Sequence, residues 1–252
     1  MAPSSIRCAV RASLDDRGGA EIRPRGIAQQ ELRAPRAAGI AGLLFALLFA
    51  AALLLLKPPG AASDLQLLAW YTGTARGTVS LVGLYLIPFA GIAFLWFIGV
   101  VNDRIGRRED RFFSTVFLGS GLLFVSMMFA AAASVSAIAL RADARLSIAA
   151  IDAGVLQYVL AVTNAFLYVY AARTAGVFMI VTSTIAWRTR SVPSWVAIVG
   201  YLIALLLLLT LRYFQVLIML FPAWVALLSM FILATPGKIE LDDEFDQANE
   251  RG

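Results

Sequence analysis

No histidine occurs in the 252 residues, and there is a single cysteine, Cys8. The first absence removes the usual imidazole base, the commonest metal ligand and the side chain that titrates nearest neutral pH. The second excludes an internal disulfide and any CxxC pair. Charge is scarce as well: 15% of residues are Asp, Glu, Lys or Arg, against about 25% in an ordinary soluble domain. The chain also has no nucleophile elbow, Walker loop or zinc-ligand spacing, and no pair of carboxylates within an apolar run. A serine here has no histidine to activate it. These absences lead to the expectation of a non-enzymatic protein with no metal and no cofactor.

What is abundant is apolar sequence: 60% of residues are hydrophobic and the mean hydropathy is +0.81. Several runs reach the ~20 residues that cross a bilayer core. The expected fold is all-α, a polytopic transmembrane helical bundle. Six spans are predicted, over residues 37–56, 79–101, 112–140, 148–187, 195–211 and 214–234. A basic, disordered tail (1–36) is expected before the bundle and an acidic tail (235–252) after it. A signal peptide is the rival for the first run, since Gly60-Ala61-Ala62 resembles a cleavage site. Twenty apolar residues, however, exceed the ~7–15 of a signal core. The segment 65–71, LQLLAWY, ends in two aromatics and is expected to lie at the outer headgroup level.

Proline and glycine punctuate the spans. Pro88 lacks an N–H, which is expected to free the carbonyl of Leu84 and kink the second span; Pro222 does the same to the carbonyl of Ile218 in the sixth. Gly83, Gly91 and Gly99, then Gly119-Ser120-Gly121 and the small residues of 130–134, offer close approach to neighbouring helices.

The charges set orientation. Residues 102–111, NDRIGRREDR, hold four arginines and three carboxylates and belong in water. Arg104, Arg107, Arg108 and Arg111 are the candidate contacts to lipid headgroups. With six spans, one side collects fifteen lysines and arginines and the other five, apart from Arg173. The positive-inside rule then places both termini in the cytoplasm. The net charge of +5 is absorbed by that orientation, so no nucleic-acid partner is implied. Membrane lipids, and a partner membrane protein or a second copy, are the expected partners.

The fourth span is the odd one. Its forty residues would make a helix of about 60 Å, twice the ~30 Å of the hydrocarbon core. It is either one long helix or one bent near Arg173-Thr174-Ala175-Gly176. Gln157, Asn164 and Tyr168 fall at i, i+7 and i+11 and share a helical face. Together with Arg173 they are the candidate ligand-binding residues. The same face serves equally as interhelical hydrogen-bonding glue. Arg173 is either a functional charge at membrane depth or a snorkelling one. The preferred placement takes 150–172 as the span and sets Arg173 at the cytoplasmic interface, as a lipid or loop anchor within reach of Asp103 or Glu109.

The basic entry into AGIAGLLFALLF, the arginine-rich loop after the second span, and the passage TAGVFMIVTSTIAWRTRSVPSWVAIVGYLIALLLLL together resemble a bacterial family of uncharacterised multi-pass membrane proteins, a domain of unknown function. The resemblance covers residues 37–234. It implies a six-helix fold and no established activity, so no functional residue is carried over from it. Two functions remain in view: a protein that binds lipid or a membrane partner, and a small-solute transporter or channel built on the kinked spans and the polar face of the fourth.

Overall fold

The computed structural model describes residues 33–56, 66, 69–70, 73, 75–105, 111–143, 153–188, 193–209 and 215–234. All of them except Arg33 fall in the compact unit Ala34–Gly252. Among them regular structure is helical throughout. The helices are α1 (Arg33–Leu55), α2 (Arg76–Leu81), α3 (Ile87–Ile105), α4 (Arg111–Asp143), α5 (Ala153–Asn164), α6 (Ala172–Arg188), α7 (Ser194–Leu209) and α8 (Gln215–Ala234). A π-helical stretch, Val82–Leu86, joins α2 to α3, and a second, Ala165–Ala171, joins α5 to α6. The eight helices therefore form six rods. Residues 1–32 of the first predicted tail, the second tail and most of 65–71 lie outside the described residues, while 33–36, expected to be disordered, form the first turn of α1.

Five of the rods are long and apolar enough to cross a membrane. The sixth, α7, is equally apolar but has 16 residues, about 24 Å of helix. The expected loop at 102–111 is shorter than its charge suggested. α3 runs on to Ile105 and α4 begins at Arg111. A helix satisfies its own backbone in water as well as in lipid, and no glycine or proline weakens this one between Gly99 and Gly106.

The rods run antiparallel. At one end, called here the charged end, Ser114 Oγ donates to Asn102 Oδ1 at 2.8 Å and the Arg188 guanidinium sits 5.5 Å over the Phe113 ring. Gly39 near the start of α1 lies against Leu233 near the end of α8, so the chain enters and leaves the bundle at the same end. α7 folds back on α6: Gly176 meets Leu208, and Thr184 Oγ1 is hydrogen-bonded to Tyr201 Oη at 2.7 Å.

The core is aromatic. Phe45, Phe49, Phe94, Phe97, Phe117, Phe124, Phe178 and Phe221 are fully buried and come from five rods. Phe94 is the hub, with ring centroids of Phe45, Phe178, Phe124 and Phe221 at 4.6, 5.2, 5.3 and 5.8 Å. Tilted and edge-on pairs at such distances are the favourable geometry for rings. A smaller cluster at the far end joins Ala75 and Val79 to Val135, Ile138 and Leu156.

Candidate functional site

The two candidate sites differ in what the structure describes. Arg107 and Arg108 lie outside the described residues. Arg104 occupies the last turn of α3 and Arg111 the first residue of α4, so the backbone brings both to the charged end; their side chains lie outside the description.

The fourth rod is continuous from Gly154 to Arg188. The region expected to bend instead carries the π stretch Ala165–Ala171, immediately before Arg173. A π turn inserts a residue and rotates everything after it relative to an α-helix. Gln157 is exposed, Asn164 and Tyr168 are half-buried, and Tyr168 packs against the aromatic core. Gln157 and Arg173 stand sixteen residues apart on the rod, about 24 Å. Gln157 is 31 residues from Arg188 and Asn164 is 24, about 46 and 36 Å along the helix. Both residues lie within Gly154–Arg188, the stretch of this rod long and apolar enough to cross a membrane.

Arg173 stands at the start of the core-packed part of the rod. α6, from Ala172 to Arg188, is the part of this rod packed into the core: Ala172, Ala175, Phe178 and Met179 are all buried. Arg173 is half-buried at its start, fifteen residues or about 22 Å from the charged end. Asp103 is in the last turn of α3, toward the charged end, and Glu109 lies outside the described residues. A helical side chain leans toward the helix N-terminus, which carries the guanidinium still further from the charged end. The more polar stretch 172–188 packs into the core, and its Ser and Thr hydroxyls are turned inward or back onto their own helix.

That habit is general. Thr163, Thr182, Thr184, Ser126 and Ser134 each donate to the carbonyl four residues back, at 2.7–2.9 Å. Three buried serines do otherwise. Ser136, Ser183 and Ser229 have no hydrogen-bond partner, and each hydroxyl lies against a glycine of a neighbouring rod: Gly83, Gly200 and Gly42 respectively. A Cβ at any of these glycines would overlap the hydroxyl, so the pairs set the distance between rods. What is left to the oxygen is a weak Cα–H···O contact. Of the glycines singled out from sequence, Gly83, Gly91 and Gly121 make close interhelical contacts, whereas Gly99 and Gly119 face open space.

One of these pairs borders a notch of about 200 Å³ between the second rod and α4, lined by Gly83, Leu84, Pro88, Phe129, Ala132, Ala133 and Ser136. Sequence reasoning found Pro88 and Gly83 but not the notch. The π register also bears on Pro88. Ile87 N–H bonds Val82 O, five residues back, and Pro88 has no N–H to continue the ladder.

The interhelical hydrogen bonds also escaped the sequence reading. Ser114–Asn102 and Thr184–Tyr201 each join two rods, and nothing in either local sequence marks them. Compared with protein-family models, curated proteins and solved structures, the chain finds no match.

Proposed function

We propose that this chain is a non-enzymatic bacterial plasma-membrane protein of six spans, with both termini cytoplasmic, that holds lipid or a partner membrane protein. Its likeness to the uncharacterised multi-pass family belongs to the same proposal. The observation that carries it is the aromatic core. Eight fully buried phenylalanines from five rods fill the middle of the bundle, where a solute path needs polar lining or open space. The outer surface, by contrast, is broadly apolar, with Leu47, Trp96, Leu202 and Leu209 each more than 60% exposed. An even number of crossings is supported by the meeting of Gly39 with Leu233, and the cytoplasmic side by the fifteen-to-five excess of lysine and arginine.

The test is gentle extraction followed by native mass spectrometry. Retained lipid or a stoichiometric protein partner is the expected result, and a monodisperse monomer carrying neither overturns the proposal. The transport alternative has its own readout: solute uptake into liposomes that falls on Gln157→Leu and Asn164→Leu would restore the polar face to function.

A further inference from the structure

We infer that Arg173 and Tyr170 hold the phosphate of an anionic phospholipid, in the leaflet away from the charged end. The inference deepens the lipid-binding reading above and rests on it.

Three observations support it. The first is direction. Tyr170, Arg173, Thr174 and Val177 follow one another at i, i+3, i+4 and i+7, a single helical stripe. Tyr170 (54%) and Val177 (37%) are exposed, and Arg173 and Thr174 are half-buried. Ala171, Ala172, Ala175, Phe178 and Met179, on the other side, are buried. Arg173 therefore leaves the helix toward lipid and not toward the aromatic core. Among the described residues, none is hydrogen-bonded or ion-paired to its guanidinium.

The second is depth. Phe178 lies 6.1 Å from Phe221, and Phe221 is six residues from the start of α8 at Gln215. Gly176 meets Leu208, one residue from the end of α7. Both rods thus end within about 9 Å of the level of Phe178, and Arg212 lies in the sequence between them. Arg173 is five residues beyond Phe178 in the same direction, about 7.5 Å. It is level with the ends of α7 and α8, where hydrocarbon gives way to headgroups.

The third is chemistry. An arginine facing hydrocarbon is strongly disfavoured, and its long side chain reaches for the nearest headgroup. On a helix it leans toward the N-terminus, here away from the charged end. The anion at that level is a lipid phosphate, which the guanidinium fork meets with two parallel N–H···O bonds. Tyr170 is one turn nearer the headgroups, the level that interfacial aromatics favour. Its ring rests 6.3 Å from that of Phe166, and its O–H donates to the same phosphate. A lipid of net negative charge is preferred, because the ammonium of a zwitterionic one competes with Arg173 for the phosphate. No bond is made or broken.

The full chain is reconstituted in phosphatidylcholine nanodiscs doped with one of two photoactivatable probes, a phosphatidylglycerol or a phosphatidylcholine. Both carry the same diazirine on the acyl chain beside the glycerol, and adducts are mapped by peptide mass spectrometry. The phosphatidylglycerol should label residues 166–177 on the order of five-fold more than the phosphatidylcholine, the preference of one basic group for an anionic headgroup. Arg173→Gln should abolish that preference, with elution volume and the labelling beside Arg104 and Arg111 unchanged. Arg173→Lys should keep part of it, and Tyr170→Phe should lower it. Excess inorganic phosphate, at matched ionic strength, should change nothing. Equal labelling of 166–177 by the two probes in the unsubstituted chain, or a preference that survives Arg173→Gln, overturns the inference. Loss of labelling to inorganic phosphate overturns it as well, since the site would then take a free anion. Lipid retained on gentle extraction without this preference sinks the Arg173 site alone; no retained lipid at all sinks the broader reading too.

Discussion

At the residue scale, the three serine–glycine pairs are the most exacting contacts in the bundle. Each serine has a buried oxygen with no partner, so its hydroxyl is a cost and not a bond. Ser183→Ala and Ser229→Ala should therefore leave stability unchanged or raise it by up to about 1 kcal/mol, read as an unchanged or higher Tm in detergent. The glycines behave oppositely. Gly83→Ala places a methyl on the Ser136 hydroxyl and should cost about 1–3 kcal/mol, the usual penalty of overpacking. Adding Ser136→Gly should recover most of that loss. If Gly83→Ala were as stable as the parent protein, the rods would not be held at the spacing described.

At the element scale, two rods carry π stretches and each decides where a functional candidate points. The insertion at Val82–Leu86 lies between α2 and the half of the rod bearing Phe94 and Phe97. Deleting Tyr85, which is 59% exposed, would remove the extra residue and restore an α register, leaving both rings facing as they do now. That deletion should keep a folded, monodisperse species on size exclusion, whereas an alanine inserted after Ala90, where no π turn absorbs it, swings both rings by about 100° and should abolish it. Pro88→Ala leaves the register intact and should be tolerated far better. The second insertion fixes Arg173. With Cys8→Ser in place, Arg173→Cys should label with an impermeant thiol reagent from the same side as Tyr158→Cys and opposite to Trp187→Cys. Labelling on the Trp187 side would return Arg173 to the charged end.

At the scale of the whole molecule, stability comes from fit, not from hydrophobicity. Lipid tails are as apolar as leucine, so exposed and buried side chains differ in packing contacts and not in transfer from water. Phe94 touches four other rods' rings, and Phe94→Ala should cost about 3–5 kcal/mol through the cavity it leaves. Phe89, on the same rod but 59% exposed, should change stability by no more than about 0.5 kcal/mol on replacement by alanine. Thermal unfolding of the two variants in one detergent makes the comparison direct. Equal losses would mean that the aromatic cluster does not hold the bundle.

The sequence by itself determined the helices. Runs of about twenty apolar residues bounded by charge or by Pro and Gly leave the backbone one way to satisfy its hydrogen bonds in lipid, and the helix ends of α1, α7 and α8 agree with the sequence boundaries within a few residues. The phenylalanine core was partly legible, since Phe45 with Phe49 and Phe94 with Phe97 stand at helical spacing. Which rods those faces meet was not, because every face of such a helix is apolar and hydropathy cannot tell lipid from neighbour. Depth and register were decided only by tertiary structure. Hydropathy marks 150–172 of the fourth rod, whereas it is Phe178, within 172–188, that packs against Phe94, Phe117 and Phe221. The π insertions, the glycine–serine pairs and the notch all depend on one rod meeting another at a particular height, and no single stretch of sequence encodes that height.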